Sequence, residues 1–266
     1  IIRVLKRTPP VSGSNLYLTI DSHLQKVAEA AFADYSGSAI AIDPNNGDIL
    51  AFVSLPTYDP NPFVNGIDYD AYAALRNNDK EPLFNRALRG QYPPGSTVKP
   101  FMGLAGLETG VTSEHSKTYC PGFYMLPGKD RKYRAWKRSG HGTVDLNSAI
   151  TQSCDVYFYD LAQSMGIDRI HDYLQHFGFG KAAGIDIQGE LPGLLPSKEW
   201  KRSRRNQPWF PGETIITGIG QGFFLVTPIQ LAVATAALAN GGRMLQPRIV
   251  HAEQEAESDE LLPHHS

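Results

Sequence analysis

The sequence has few cysteines, no long apolar run and no excess of charge of one sign. Two cysteines among 266 residues exclude a small fold held together by several disulfides. No segment approaches the roughly 20 apolar residues that span a bilayer, and the opening IIRVLKRTPP is unlike a signal peptide. The net charge of −2 shows no excess of basic residues that would attract nucleic acid, so nucleic acid is not expected as the main partner. We therefore expect a globular region that begins inside a longer protein.

Hydrophobic residues make up 41% of the chain, enough to bury a substantial core. The clearest predicted element is a β-hairpin over residues 38–54, whose loop holds Asn46-Gly47. Residue spacing further predicts a strand over 15–21, helices over 22–35, 144–166, 167–178 and 227–242 (the last apolar and deeply buried), an irregular stretch over 111–144, and a loop or disordered tail over 251–266. A hairpin followed by helices is typical of an α+β fold with helices on an antiparallel sheet, although strands are too few.

A candidate nucleophile lies in QYPPGSTVKP, residues 91–100. The prolines and glycine predict a turn, and the apolar spacing that follows predicts a helix ending at Gly110. Because residues i and i+3 share a helix face, the Lys99 amine is expected to reach the Ser96 hydroxyl. The four-residue pattern from Ser96 to Lys99 is a weak signal by itself, because serine is also a common helix cap and lysine a common exposed residue.

A second candidate pair, Ser153 and Asp155, falls inside the helix predicted over 144–166. Residues two apart cannot share a helix face. One alternative is that the helix breaks there and presents both side chains to a cleft. The other is a buried serine bonded to a backbone carbonyl, with an exposed aspartate.

These motifs together resemble a known family. S-x-x-K followed by S-x-N and K-T-G is the motif set of penicillin-binding proteins and serine β-lactamases. PPGSTVKP is similar to the first motif, and Ser153-Cys154-Asp155 stands where the second belongs. Essentially the whole chain resembles class B, monofunctional penicillin-binding transpeptidases, through AIDPNNGDILAFVSLPTYDPNPF (41–63) and GIGQGFFLVTPIQLA (218–232). Asp155 in place of asparagine, and YRAWKRSGHG (133–142), are similar to the elongation-specific penicillin-binding protein 2 group.

The resemblance implies a penicillin-binding transpeptidase or serine β-lactamase-like α+β fold over residues 1–250. It also implies that Ser96 attacks the penultimate D-Ala carbonyl of a stem peptide, releasing the terminal D-Ala before a neighbouring amine closes a crosslink. Lys99 is then the base for Ser96. Ser153 relays the proton to the leaving amine, and Asp155 orients it. No cofactor is required, and β-lactams acylate the same serine.

The resemblance further implies a place in the cell. It predicts a role in cell-wall elongation and rod-shape maintenance, with the catalytic domain in the bacterial periplasm and an inner-membrane anchor outside this chain. The expected partners are peptidoglycan stem peptides ending in D-Ala-D-Ala, β-lactam antibiotics, and membrane proteins of an elongation complex that include a peptidoglycan glycosyltransferase. No nucleic acid partner is expected.

One motif of the family is missing. No K-T-G or K-S-G follows Asp155, and the one Lys-Thr, at Lys117–Thr118, lies upstream and continues with Tyr119. We expect a C-terminally incomplete chain, without the strands that carry this motif. Since the motif supplies one oxyanion donor, the 266 residues alone are expected to acylate about 10²–10³-fold more slowly.

Two other functions stay open. A serine β-lactamase shares this chemistry, but no glutamate motif for deacylation is recognisable. A non-catalytic β-lactam sensor or scaffold would keep the fold without the reaction, although retention of Ser96, Lys99 and Ser153 together argues against it.

A metal site is also predicted. Cys120, His141 and Cys154 suit zinc, and elongation-type relatives resemble this chain in carrying metal-competent residues around this loop. A Cys120–Cys154 disulfide is an equal alternative in an oxidising compartment, and two free thiols are a third alternative. Asp130 or water is the expected fourth ligand, because Ala135 offers none.

Overall fold

The computed structural model describes residues 12–255 and 260–263, which form an α+β fold. The strands are β1 (Asn15–Leu18), β2 (Gly37–Ile42), β3 (Ile49–Leu55), β4 (Thr118–Cys120), β5 (Phe123–Met125), β6 (Lys132–Arg134), β7 (Gly142–Val144), β8 (Val250–Gln254) and β9 (Leu262–Pro263). The helices are α1 (Ser22–Ala31), α2 (Tyr69–Arg76), α3 (Arg86–Arg89), α4 (Lys99–Glu108), α5 (Leu146–Thr151), α6 (Asp155–Leu174), α7 (Lys198–Arg205), α8 (Pro211–Thr217) and α9 (Pro228–Ala239). Within this part of the chain, none of the helices combines the length and apolar character of a bilayer-spanning segment.

The predicted β-hairpin is confirmed as β2 and β3, which pair antiparallel with one register shift near Ile42. Alternate residues of β3 point into the core: Ile49, Ala51 and Val53 are at most 1% exposed. The period of two that predicted these strands therefore follows from one buried and one more accessible face.

A second sheet, in the order β1-β8-β9, joins the two ends of the described chain. β1 pairs antiparallel with β8, and the Thr19 hydroxyl donates to the Ile49 carbonyl at 2.7 Å, which ties this sheet to β3. The predicted loop or disordered tail over 251–266 is therefore wrong for Val250–Gln254 and Leu262–Pro263. The partner of β8, strand β1, lies more than 200 residues away in sequence, where local periodicity cannot find it. Strand β9 pairs with the nearby β8, but its two residues are too few to show a period of two. Residues 256–259 and 264–266 lie outside the described residues.

The stretch over 111–144, predicted to be irregular, contains four strands. β4 pairs with β7 and β5 pairs with β6, both antiparallel. Each strand has three residues, too few to display the alternation over roughly four to eight residues that predicts a strand.

The main core lies where α4 packs against α6, with Phe101, Met102 and Phe158 at most 1% exposed. The helix predicted over 144–166 is present in two parts, α5 and the first half of α6. The boundary predicted near 167 is also real, because Gly166 has non-helical angles, φ 74° and ψ 157°.

The predicted deep burial of the last helix is correct for one side only. Ile229, Val233 and Ala234 of α9 are buried. Leu231 and Thr235 instead line a groove of about 550 Å³ shared with β2. Among the described residues nothing covers this side of the helix, so its apolar character does not produce complete burial.

Candidate active site

Ser96 lies in a 3₁₀ turn, Gly95–Val98, that leads directly into α4 at Lys99. The predicted proline turn and helix are thus confirmed, with the serine one turn ahead of the α-helix. Two backbone hydrogen bonds of 2.9 Å, one in each direction, join Tyr92 to Val226. The turn is therefore held against a distant segment, and the Ser96 side chain is exposed.

Gly220 supports this turn from behind. Its carbonyl accepts the Gly95 N–H at 2.9 Å, and its φ is +69°. A Cβ at this position would lie 2.4 Å from the Gly95 oxygen, so no other residue fits. The sequence by itself assigned no role to Gly220, although it lies in the glycine-rich GIGQG of residues 218–222. The density of glycines was the available signal, because close backbone approach requires them.

The chain between α5 and α6 breaks at Ser153, whose φ is +52°. This is the first of the two alternatives for the Ser153–Asp155 pair. The second is wrong, because Asp155 is only 9% exposed and the Ser153 hydroxyl donates to the Ser96 Oγ at 2.9 Å. The left-handed backbone turns the Ser153 side chain toward the Ser96 turn.

A continuous hydrogen-bond chain joins the predicted residues. Lys99 Nζ donates to the Ser153 Oγ and to the Ser153 carbonyl, each at 3.0 Å, and lies 2.7 Å from the Asp155 Oδ1. The direct bond from Lys99 to Ser96 that i, i+3 spacing predicted is not among the hydrogen bonds of these described residues. Ser153 stands between them, because the broken helix offers the ammonium an oxygen-rich end that the shared helix face does not.

Asp155 neutralises a fully buried cation. Lys99 is 1% exposed, and a buried charge is tolerated when it is paired and fully hydrogen-bonded. The second carboxylate oxygen, Oδ2, accepts the backbone N–H of Trp136 at 3.1 Å. Asp155 therefore contacts Lys99 and Trp136, whereas the sequence predicted that it orients Ser153. Its action on Ser153 runs through Lys99.

Trp136 is a contact that sequence reasoning missed. Its indole Nε1 donates to the Ser153 carbonyl at 3.1 Å, beside the bond from Lys99, while the residue remains 64% exposed. An exposed tryptophan within a charged stretch was the one available signal, since tryptophan is usually well buried.

The predicted metal ligands also meet. One ligand atom from each of Cys120, His141 and Cys154 lies within 4.8 Å of the others, and Cys120 Sγ is 3.5 Å from His141 Nδ1. Both cysteines are free and buried, so the disulfide alternative is not what this structure contains. Asp130 does not join the group. Burial lowers the pKa of His141 and raises the pKa of the Cys154 thiol to about 11.

An exposed serine linked through a second serine to a buried lysine, on an α+β fold, is typical of serine acyl-transfer enzymes with the S-x-x-K motif. Comparison of the chain with known proteins agrees with this interpretation of the site. The chain belongs to the penicillin binding protein transpeptidase domain family, whose profile matches residues 37–265. It is 47% identical over 252 residues to the peptidoglycan D,D-transpeptidase MrdA of Acinetobacter baumannii, covering 95% of this chain and 38% of that protein.

Two solved structures are similar over almost the whole chain. Pseudomonas aeruginosa penicillin-binding protein 2 (PBP2), in complex with WCK 5153, has a TM-score of 0.88 and 52% identity, covering 96% of this chain and 58% of that one. Helicobacter pylori PBP2 in its complex with MreC has a TM-score of 0.85 and 37% identity, covering 93% of this chain and 45% of that one. The resemblance inferred from the motifs is confirmed. The chain spans well under two thirds of the length of each of these relatives.

Proposed function

We propose that this chain is the catalytic domain of a peptidoglycan D,D-transpeptidase that forms its acyl-enzyme on Ser96. The observation that carries the proposal is the chain from Ser96 Oγ through Ser153 Oγ to Lys99 Nζ, with links of 2.9 and 3.0 Å. The name D,D-transpeptidase, carried by the A. baumannii relative, supports the choice of reaction.

In the proposed acylation, Lys99 first releases its own proton to solvent, and the free amine then accepts the proton of Ser96 through the Ser153 hydroxyl. Ser96 Oγ bonds to the penultimate D-Ala carbonyl carbon, and the C–N bond to the terminal D-Ala then breaks. The proton returns through Ser153 to that leaving amine. Asp155 stabilises the ammonium while Lys99 holds the proton. Acid–base assistance of this kind contributes about 10²–10⁴-fold to the rate.

The second half-reaction uses the same groups in reverse. The amine of a neighbouring stem peptide attacks the ester carbonyl, loses a proton to the Ser153–Lys99 chain, and displaces Ser96 Oγ to form the crosslinking amide. The reaction needs no cofactor. β-Lactams would acylate Ser96 in the same way and leave slowly.

The cellular setting belongs to the same proposal. We infer that the domain acts in the bacterial periplasm at the inner membrane, in wall elongation and rod-shape maintenance. The solved complex of H. pylori PBP2 with MreC supports a similar protein partner for this chain. A peptidoglycan glycosyltransferase as a further partner stays a prediction.

The proposal also includes a structural zinc ion, bound by Cys120, His141 and Cys154. Tetrahedral zinc, with Zn–S near 2.3 Å and Zn–N near 2.0 Å, places sulfur and nitrogen ligands about 3.5 Å apart. The Cys120–His141 separation of 3.5 Å fits that value. The ion would brace β4 and β7 against the start of α6.

Anomalous scattering across the zinc edge tests the metal. A peak between the three side chains is expected, and it should be lost in Cys154→Ser. A Cys120–Cys154 disulfide, or no zinc signal at this position, would contradict the metal assignment without touching the acyl-transfer proposal.

Intact-mass labelling with penicillin tests the reaction, using the product of the complete gene. The unmodified protein should gain one penicillin mass, and Ser96→Ala should gain none. The matched control Ser36→Ala, which changes an exposed serine in the loop before β2, should label fully. Labelling of Ser96→Ala would overturn the assignment. Sustained hydrolysis of a chromogenic cephalosporin would favour the β-lactamase, and no labelling of the unmodified protein would favour the non-catalytic scaffold.

A further inference from the structure

A strongly basic segment, residues 129–138, runs from the tip of the β5–β6 hairpin to just beyond Trp136. It contains six cations and one acid, Asp130, so its charge is +5, which leaves −7 for the rest of a chain whose total is −2. All six cationic residues are exposed: Lys129, Arg131, Lys132, Arg134, Lys137 and Arg138. None of them takes part in the salt bridges found within the described residues.

The hairpin that carries these charges is rigidly placed. Tyr133 and Tyr124 pack against the buried Tyr159 of α6, with ring centroids 6.2 and 6.1 Å apart. Leu126 joins Tyr159 and Ile215 in a small separate core. At the other end, Trp136 is bonded to the Ser153 carbonyl at the candidate active site. The cations therefore project from a fixed element that ends at the reacting serines.

A cavity of about 530 Å³ lies between this hairpin and the start of α8. Its apolar lining includes Leu126, Phe210 and Ile216, and Lys129 and Arg131 also line it. The Arg131 guanidinium sits 4.9 Å from the centre of the Tyr133 ring, which orients it.

The one acidic residue of the cavity wall, Glu213, is already neutralised. One of its oxygens pairs with the buried Lys201, and the other accepts the Phe210 N–H at 2.8 Å. The cavity therefore combines an apolar floor with two cations whose charges are not balanced by Glu213. Such a site fits an aliphatic or peptide arm that ends in a carboxylate.

We propose that this cavity binds the stem peptide upstream of its D-Ala-D-Ala end, through a carboxylate held by Lys129 and Arg131. The proposal rests on the proposed function, because it is the crosslinking reaction that brings such a peptide to Ser96. The hairpin thus selects acidic stems, whereas the reacting serines act on the D-Ala-D-Ala end.

Steady-state kinetics on the product of the complete gene tests this assignment. Two probes are compared by D-alanine release: a stem pentapeptide with a free glutamyl carboxylate upstream of D-Ala-D-Ala, and diacetyl-lysyl-D-Ala-D-Ala, which lacks that carboxylate. In Lys129→Gln/Arg131→Gln, KM for the acidic pentapeptide should rise roughly tenfold, as expected for losing two solvent-exposed charge contacts. Its kcat, and both constants for the tripeptide, should not change.

The matched control removes the same charge elsewhere, as Arg202→Gln/Arg204→Gln on the exposed face of α7. If the control raises KM for the pentapeptide equally, the effect is one of net charge and the cavity assignment is wrong. An unchanged KM in the hairpin variant also overturns it. Calorimetric binding of the pentapeptide to Ser96→Ala gives the same comparison without turnover. Penicillin labelling tests the proposed function separately. If the unmodified protein does not label, the proposed function is wrong, whatever the KM values show.

Discussion

Ser153 carries a left-handed backbone, φ +52°, that residues with a Cβ adopt only when their surroundings enforce it. Its carbonyl accepts hydrogen bonds from Lys99 Nζ and from the Trp136 indole, at 3.0 and 3.1 Å. Two donors on one oxygen hold the strained turn in place. The strain is what directs the Ser153 hydroxyl toward Ser96.

Replacing Ser153 separates this strain from the chemistry. Ser153→Gly and Ser153→Ala both remove the hydroxyl, so both should slow penicillin acylation of Ser96 by at least about 10²-fold. Ser153→Gly should be roughly 1 kcal/mol more stable to denaturant than Ser153→Ala, because glycine adopts positive φ without strain. Equal stability of the two variants would show that the turn is not strained.

Trp136 offers a matched pair of substitutions. Trp136→Phe removes the indole donor to Ser153 but keeps the backbone bond to Asp155, and Trp209→Phe removes an indole bond to Thr214, 2.8 Å long, in another region. Each should cost about 1 kcal/mol of stability. Only Trp136→Phe should also slow acylation, by roughly three- to tenfold for a loss of about 1 kcal/mol. Stopped-flow acylation of both variants decides, and equal slowing would contradict a positioning role.

The identity of the four residues in the candidate active site could be read from the sequence, but their connections could not. Short motifs placed Ser96, Lys99, Ser153 and Asp155 together, and the structure brings them into one network. Spacing along a helix suggested a direct Lys99–Ser96 bond. Which oxygen the ammonium reaches depends on how α4 packs against the broken end of α6, and that tertiary contact leaves no local pattern.

At the scale of the elements, Gly166 divides α6. Its φ of 74° and ψ of 157° are accessible almost only to glycine, and a Cβ added there would have no heavy atom within 4 Å. Any effect of substitution is therefore conformational and not steric. The interruption lets the second half of the helix take a new direction, in which its own side chains Ile170 and Leu174 are buried in the main core.

Gly166→Ala should lower the free energy of unfolding by about 1–3 kcal/mol, the usual cost of a strained backbone. Gly13→Ala is the control, since that glycine also has open space around it but lacks a positive φ. Urea unfolding followed by circular dichroism measures both. A loss of stability in Gly13→Ala equal to that in Gly166→Ala would show that the backbone angles of Gly166 are not the cause.

Elements with local signals were predicted well, and elements defined by distant partners were not. The β2–β3 hairpin has alternating residues and an Asn-Gly loop within one short window, so it was visible. β8 becomes a strand by pairing with β1 from the other end of the chain. β4 to β7 are each three residues long, and they are strands because their hydrogen bonds pair them, not because their composition favours it.

At the scale of the whole molecule, β2 presents one open side. In the described part of the chain its backbone pairs with β3 alone, and its side chains Ser38, Ile40 and Ile42 line the groove beside α9. A strand of six residues with unpaired N–H and C=O groups is a template for a strand of another molecule. The groove supplies an apolar floor under that template.

This edge has a consequence for behaviour in solution. When no other segment or molecule covers the free edge of β2, the protein should self-associate as its concentration rises. Multi-angle light scattering measures this association. Ile40→Lys, which places a charge in the groove, should keep the protein monomeric, because charged side chains protect strand edges. Val64→Lys adds the same charge at a residue 76% exposed and should leave association unchanged. If Val64→Lys restores monomers and Ile40→Lys does not, the colloidal behaviour of the domain is governed by overall charge and not by this edge.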